Sequence, residues 1–319
     1  GDNFILGFHR LAINGFEKPE SKQPIELKNC KLICNGEIYN WKNLHKELNI
    51  KTSTFSDCEI IIHMYREHGM YYTLKKLDGV FSFILYDETS KEFFIARDQF
   101  GVRPLFQCFT EDNKSKAFSS NLDMLLPSFS KNEIFQFKPG TFLNIKNETE
   151  TTCNFSMLSP GFYTTSMDQF YGLIRNTLYN AVKKRVENTD RTIGCLLSGG
   201  LDSSLIASIV AKEIHPVKLY TFSIGMAGSP DLKFAKEAAE HIGSIHHSIE
   251  LTKNDFLEAI EDVIYDIESY CTTTVRASVG NWLVAKYIKE NTDIKVVFCG
   301  DGADECCGGY IYMSHAPDC

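Results

Sequence analysis

The run Ser198-Gly199-Gly200-Leu201-Asp202-Ser203-Ser204 is the most chemically specific stretch of this 319-residue chain. It follows the apolar residues 193–197 and opens a second apolar stretch, SSLIASIVAKEI. Two glycines let a backbone approach an anion closely, and the N–H groups of a turn and a helix start then point at it. The hydroxyls of Ser198 and Ser203 add donors. A carboxylate beside a phosphate repels it, so Asp202 implies Mg2+ between the two. No Gly-Lys-[Ser/Thr] follows, which excludes a Walker A loop. A serine-capped glycine turn would need only Ser-Gly-Gly. The strand–loop–helix context with Asp202-Ser203-Ser204 asks for more, and a phosphate site is the expectation.

Cysteine is the other reactive type in abundance, with eleven residues at 30, 34, 58, 108, 153, 195, 271, 299, 306, 307 and 319. Cys34, Cys195 and Cys299 sit inside apolar, strand-like runs, as buried free thiols do. Cys30 and Cys34 are four apart, Cys306 and Cys307 are adjacent, and no histidine cluster completes either as a zinc site. The pattern fits reduced structural thiols in a cytoplasmic chain. Sequons at Asn147 and Asn154 arise readily by chance.

Composition narrows the partners. With 33 basic and 41 acidic side chains the net charge is −8, which argues against nucleic acid or an anionic membrane as the main partner. At 43% hydrophobic and 23% charged the chain is globular rather than disordered. No apolar run approaches the roughly 20 residues of a membrane span, and no signal peptide opens the chain. A length of 319 residues suggests two domains.

The elements that must hold the phosphate loop are legible as a change of pattern. Residues 1 to about 120 read as short strands (KLICNGEIY, GVFSFILYD, KEFFIARD) rich in β-branched and aromatic residues. The near-continuous apolar run of GVFSFILYD suits a strand covered on both faces. One helix interrupts them, with Ile60, Ile61, Met64 and Tyr65 at helical spacing. From about 125 to 165 periodicity is weak, which places the domain boundary there, near 160/161. A helix with Phe170, Ile174, Leu178, Ala181, Val182 and Val186 on one stripe then leads into alternating strands and helices, including a long helical block to Lys289 and the strand KVVFCG. That alternation implies a doubly wound parallel sheet with helices on both faces, whose ligands sit at the strands' carboxyl ends.

On these residues a family resemblance rests. SGGLDSS resembles the pyrophosphate loop of the N-type ATP pyrophosphatases. IGCLLSGGLDSSLIA, YTFSIGM, SPDLKFAKEAAEHIGSIHH, TTTVRASVGNWLVAKYI and GDGADECCGGYIY are similar to the glutamine-dependent asparagine synthetase family in its order. The front half resembles a class II glutamine amidotransferase through GFHRLAI (7–13), Asn35-Gly36-Glu37-Ile38-Tyr39-Asn40, Ser56-Asp57-Cys58-Glu59, Leu77-Asp78-Gly79 and ARDQFGVRPLF (96–106).

The resemblance implies two domains. Residues 1–160 would be a glutaminase domain of layered antiparallel sheets with helices, Ntn-hydrolase-like. Residues 161–319 would be an ATP-pyrophosphatase-like synthetase domain. Arg10 would bind the glutamine carboxylate, Glu37 and Asp57 its α-amino group, and Asn35 with the Gly36 N–H would form an oxyanion hole. Leu197, Ile224, Cys299 and Gly300 would line the AMP site, and Ser198, Gly199, Gly200, Leu201, Asp202 and Ser203 would hold the pyrophosphate. Asp202 and Asp304 would act through Mg2+, while Thr273 and Arg276 would orient aspartate. The implied reaction is ATP-dependent amidation of aspartate through β-aspartyl-AMP, with ATP and Mg2+ as cofactors and aspartate, ATP, and glutamine or ammonia as small-molecule partners. A homodimer is left open.

The text also departs from the family. The family's SGEGSDE reads Cys299-Gly300-Asp301-Gly302-Ala303-Asp304-Glu305, which loses two hydroxyls and shortens a glutamate to the catalytic candidate Asp301. A Ser-Glu pair reads Ser120-Asn121, and Cys271 replaces an aspartate. The family's N-terminal cysteine nucleophile does not stand at Gly1, and no internal cysteine offers a free α-amine, so the expectation is a fragment truncated at both ends without glutaminase activity of its own. Two alternatives are a glutaminase-less ligase of the β-lactam synthetase type and a non-catalytic nucleotide-binding relative.

Overall fold

The computed structural model describes residues 4–110, 116–130, 133–146, 149–152 and 166–315. Cys153, Cys319, the two sequon asparagines' neighbourhoods at 147–148 and 153–165, and the expected boundary at 160/161 lie outside them. The chain divides into two compact units, residues 1–165 and 166–319. Among the described residues no helix is long and apolar enough to cross a membrane.

The N-terminal unit is built on a six-stranded antiparallel sheet, joined by three helices. In chain order its elements are β1 (Ile25–Leu27), β2 (Cys30–Ile38), α1 (Trp41–Glu47), α2 (Glu59–His68), α3 (Met70–Lys76), β3 (Gly79–Asp87) and β4 (Glu92–Arg97). β5 (Phe106–Phe109), β6 (Lys116–Ser119), β7 (Ile134–Gln136), β8 (Thr141–Asn144) and β9 (Thr149–Thr152) follow. The large sheet runs β1-β2-β3-β4-β8-β9, and a small one runs β6-β5-β7. β3 is central, and its alternate residues serve two cores as its continuous apolar text predicts. Phe81, Phe83 and Leu85 pack with Ile60, Ile61, Ile62, Met64 and Leu74 from the helices. Ile84 joins the opposite face, where Ile95 meets Leu105, Phe118 and Phe137. The expected helix exists with Ile60, Ile61 and Met64 fully buried. It is one of three, and the weakly periodic stretch contributes β7, β8 and β9.

The C-terminal unit begins with α4 (Met167–Val186), capped by Ser166 and Gln169 in a reciprocal capping box. β10 (Ile193–Leu196), α5 (Leu201–Ile214), β11 (Tyr220–Met226), α6 (Pro230–Ile242) and β12 (Ile245–Leu251) alternate after it. The long helical block is three helices, α7 (Lys253–Glu258), α8 (Ile260–Asp266) and α9 (Thr272–Asn291), followed by β13 (Val296–Phe298) and α10 (Ala303–Cys307). The block breaks after α8 where Glu268 takes a positive φ of 51°. All strands pair in parallel in the order β12-β11-β10-β13. α5 and α6 cover one face through Ala207, Val210, Ala235 and Ala239, and α9 covers the other through Val284 and Ile288. This is the doubly wound arrangement expected from the alternation.

Two expectations need correction. Of the α4 stripe only Val182 is buried, and Phe170 and Ile174 are exposed, because the helix packs against α5 through its C-terminal half alone. Cys299 is exposed rather than buried, since β13 ends one residue before it. Cys30, Cys34, Cys58, Cys108 and Cys195 are buried free thiols.

Candidate functional site

The strand order fixes where the C-terminal unit can bind a ligand. β10 pairs with β11 on one side and with β13 on the other, so the chain reverses its direction of winding at β10. A doubly wound sheet binds its ligands in the crevice outside the carboxyl ends of its strands, at such a switch point. The serine-glycine loop leaves β10 at that point. Leu197 is buried and anchors it by donating its N–H to the Phe222 carbonyl at 2.8 Å.

The loop closes on its own hydroxyls. Ser198 Oγ and Ser203 Oγ lie 2.9 Å apart, Ser203 Oγ accepts from the Ser198 N–H at 3.2 Å, and Ser198 Oγ accepts from the Gly200 N–H at 3.3 Å. Gly200 is the N-cap of α5 and supplies no side-chain cap, so the 14-residue helix presents its N-terminus to the loop. Gly199 has φ +81°, and a Cβ there would stand 2.3 Å from the Phe234 carbonyl carbon. Only glycine fits between the loop and α6.

The loop after β13 closes the other side. A Cβ on Gly300 would stand 2.8 Å from the Ser203 nitrogen and 3.1 Å from the Asp202 Cβ. Cys299-Gly300 thus lies directly on the start of α5. Ile224 sits near the end of β11, two residues past the last β10–β11 pair. The structure therefore brings the loop from Leu197 to Ser203 together with Cys299 and Gly300, while Ile224 stands on the adjacent strand β11.

Asp202 stands in the first turn of α5 and Asp304 in the first turn of α10. Asp202 is exposed, and Asp304 Oδ1 is packed under the Gly309 backbone, 1.9 Å from where a Cβ of that residue would lie. Among the described residues neither carboxylate accepts a hydrogen bond from the chain. Carboxylate oxygens are the ligands a hard cation such as Mg2+ prefers. Thr273 and Arg276 are exposed on one face of the first turns of α9, opposite buried Val275 and Val279. Among the described residues no hydrogen bond or ion pair links them to the loop.

In the N-terminal unit, Asn35, Gly36 and Glu37 occupy the end of β2. Gly36 faces Phe81 so closely that a Cβ would stand 2.3 Å from the Val80 carbonyl oxygen. Asp57 is buried and its Oδ2 accepts from the Ile38 N–H at 2.8 Å, which ties the segment before α2 to the end of β2. Arg10 donates to Ser21 Oγ at 2.6 Å and to the Asn14 carbonyl at 2.7 Å. Burial lowers the Arg10 pKa, and the nearby Cys58 and Asp57 act against that shift. Glu37 is paired at 3.4 Å with Arg103.

Sequence reasoning gave no role to three residues inside its own motifs. Arg97, 3% exposed, donates to the carbonyls of Arg103, Phe137 and Gly101, each at 2.7 Å. Asp98 accepts from the backbone N–H groups of Phe81, Phe100, Val102 and Arg103 at 3.0–3.3 Å. Together they shape the loop that presents Arg103 to Glu37. Glu59 does the same for the segment before Asp57. Its carboxylate is fully buried and accepts from the N–H groups of Ser53 and Thr54 and the hydroxyls of Thr52, Ser53 and Thr54 at 2.7–3.0 Å. Burial raises its pKa, but His45, His63 and the two amides outweigh that and hold it well below the usual carboxylate range.

The two units match two known families in the order the motifs suggest. The glutamine amidotransferase domain model matches residues 1–169, and the asparagine synthase model matches residues 173–319. The chain belongs to the glutamine amidotransferase family, and its second half matches the asparagine synthase model. Asparagine synthetase (glutamine-hydrolysing) of Bos taurus is 40% identical across 99% of this chain and 61% of its own length. The human protein is 39% identical over the same shares. The chain thus spans about three-fifths of the length of these curated relatives. A glutamine phosphoribosylpyrophosphate amidotransferase from B. subtilis aligns over 88% of this chain and 73% of its own at 16% identity and a TM-score of 0.36. The crevice therefore belongs to the asparagine synthase half, and the Arg10–Asp57 pair to the amidotransferase half.

Proposed function

We propose that the protein carrying this chain amidates aspartate to asparagine at the expense of ATP, through β-aspartyl-AMP, with ammonia released from glutamine. The observation that carries the reading is the crevice beside β10, where Gly199 and Gly300 allow two backbones to close on one serine-rich loop. Residues 161–319 would then be the synthetase domain and residues 1–160 the glutaminase domain.

Within the crevice, Ser198, Gly199, Gly200, Leu201, Asp202 and Ser203 hold the β and γ phosphates. The hydroxyls that now bond one another turn to the anion, and the N-terminus of α5 adds its partial positive charge. Leu197, Ile224, Cys299 and Gly300 line the AMP end. Mg2+, held by Asp202 and Asp304, would offset the charge that develops as pyrophosphate leaves. Thr273 and Arg276 orient aspartate so that its β-carboxylate attacks the α-phosphorus, and pyrophosphate departs. Asp301 lies beside Gly300, within the same loop, and contacts the adenylate. Ammonia then attacks the acyl carbon and AMP leaves with the former carboxylate oxygen.

In the front half, Arg10 takes the glutamine carboxylate and Asp57, with Glu37, its ammonium. Asn35 and the Gly36 N–H stabilise the oxyanion. Cys58, the thiol nearest Asp57, is not a fit nucleophile. Its contact with Cys34, then burial and the Asp57 charge, push its pKa well up, so it stays protonated.

Asp202→Ala is expected to lower aspartate-dependent pyrophosphate release from ATP by about 100- to 1,000-fold, the scale of losing one preorganised stabiliser of transition-state charge. Retained release in that variant would mean that the loop has another task.

A further inference from the structure

We propose that His45, Glu59 and His63 form a buried site for a divalent transition-metal ion of the zinc type, distinct from the carboxylate pair assigned to Mg2+. Glu59 and His63 lie one turn apart on α2, and His45 faces them from α1. Their ligand atoms all fall within 4.8 Å of one another. The three residues are 5%, 0% and 7% exposed in chain order.

The tautomer of His45 decides the chemistry. Its Nδ1 lies 2.9 Å from the Trp41 carbonyl oxygen. A carbonyl only accepts, so Nδ1 carries a proton, and Nε2 is the ring nitrogen turned inward. That nitrogen is buried without a hydrogen-bond partner. It points at Glu59 Oε1 across 3.9 Å, too far for a hydrogen bond. A metal cation between the ring nitrogen and the carboxylate would partner both. An Nδ1–H bonded to a backbone carbonyl is also how ligating histidines are held in the correct tautomer.

The remaining geometry agrees. His63 Nε2 lies 3.1 Å from the same Glu59 oxygen. A tetrahedral ion with bonds of about 2.0–2.2 Å sets its ligand atoms about 3.3–3.5 Å apart, so the His45–Glu59 separation would close by about half an ångström. Two imidazoles and one carboxylate favour zinc-like ions over Mg2+ or Ca2+, which take oxygen ligands. On binding, the His63 ring carries its proton on Nδ1, which has no hydrogen-bond partner in the chain, so that the ring stays neutral and the Nε2 lone pair takes the metal. The burial of all three ligands makes the site structural. It would pin α1 to α2 and to the 52–55 segment that leads into Asp57.

The test uses the untagged chain, stripped with a chelator and with its accessible thiols alkylated, titrated with Zn2+ or Co2+ against a competing indicator. The expected result is one ion per chain, a Co2+ spectrum of tetrahedral intensity without thiolate charge-transfer bands, and a rise in Tm on adding Zn2+. His45→Gln should weaken binding at least about 100-fold and abolish the rise, while its metal-free Tm stays near that of the parent. If that variant does not fold, the parent's Co2+ spectrum still decides. Absence of stoichiometric binding, thiolate bands, or affinity unchanged in both His45→Gln and His63→Gln would overturn the proposal.

Discussion

Replacing Gly199 with alanine is expected to cost about 2–5 kcal/mol of stability in the C-terminal unit and to reduce nucleotide binding there at least 100-fold. Two separate penalties meet at this residue. Its φ of +81° is costly for any residue with a Cβ, by about 1–2 kcal/mol. The added methyl would also stand 2.3 Å from the Phe234 carbonyl carbon and 2.5 Å from the Ala235 nitrogen, both backbone atoms inside α6. Backbone cannot rotate aside as a side chain can, so the loop must lift off the helix, at a further cost of about 1–3 kcal/mol. Lifting it breaks the Ser198–Ser203 arrangement and moves the N–H groups away from the anion. Urea unfolding and calorimetric titration with Mg·ATP measure the two effects separately. Gly228, which is left-handed too but has open space around its Cβ, is the control and should show the φ penalty alone.

Glu59→Ala should be the most damaging single change in the N-terminal unit, by about 3–5 kcal/mol. The carboxylate removed is wholly buried, and its loss strands two backbone amides, three hydroxyls and an imidazole. The pH dependence has a definite sign. The carboxyl is held below its unfolded value, so its contribution is complete above a carboxylate pKa of about 4.3 and fades as pH falls below that. The gap in unfolding free energy between parent and Glu59→Gln, measured with chelator present, should be constant from pH 8 to about pH 5 and narrow below. A gap that widens on acidification would contradict this account of Glu59.

Features carried by local pattern were legible before the structure, and those that depend on distant partners were not. β3 could be read as doubly covered because every second residue of GVFSFILYD is apolar on each side. The loop from Ser198 to Ser204 could be placed on a strand–helix junction because both flanks are apolar and of the right length. α1 and α3 escaped notice because seven residues make too short a helix for periodicity to register, and polar lysines interrupt both. β7, β8 and β9 escaped because three or four residues suffice when a sheet edge already exists to pair with. The break at Glu268 and the exposed half of α4 are tertiary facts that no propensity encodes. In the candidate sites, Gly300 could be named from its motif, but its contact with Ser203 is a consequence of β13 pairing beside β10. Glu59 was visible in the text as part of Ser56-Asp57-Cys58-Glu59, yet its partners His45 and Thr52 belong to other segments.

The claim that this protein joins ammonia to an aspartyl adenylate is tested most directly by product stoichiometry. The protein with its native termini is incubated with aspartate, ammonia and Mg·ATP, and asparagine, AMP and pyrophosphate are quantified together. The account predicts one AMP and one pyrophosphate for each asparagine, with none of the three formed when aspartate is omitted. Release of ADP and phosphate, or pyrophosphate that appears without aspartate, would contradict it.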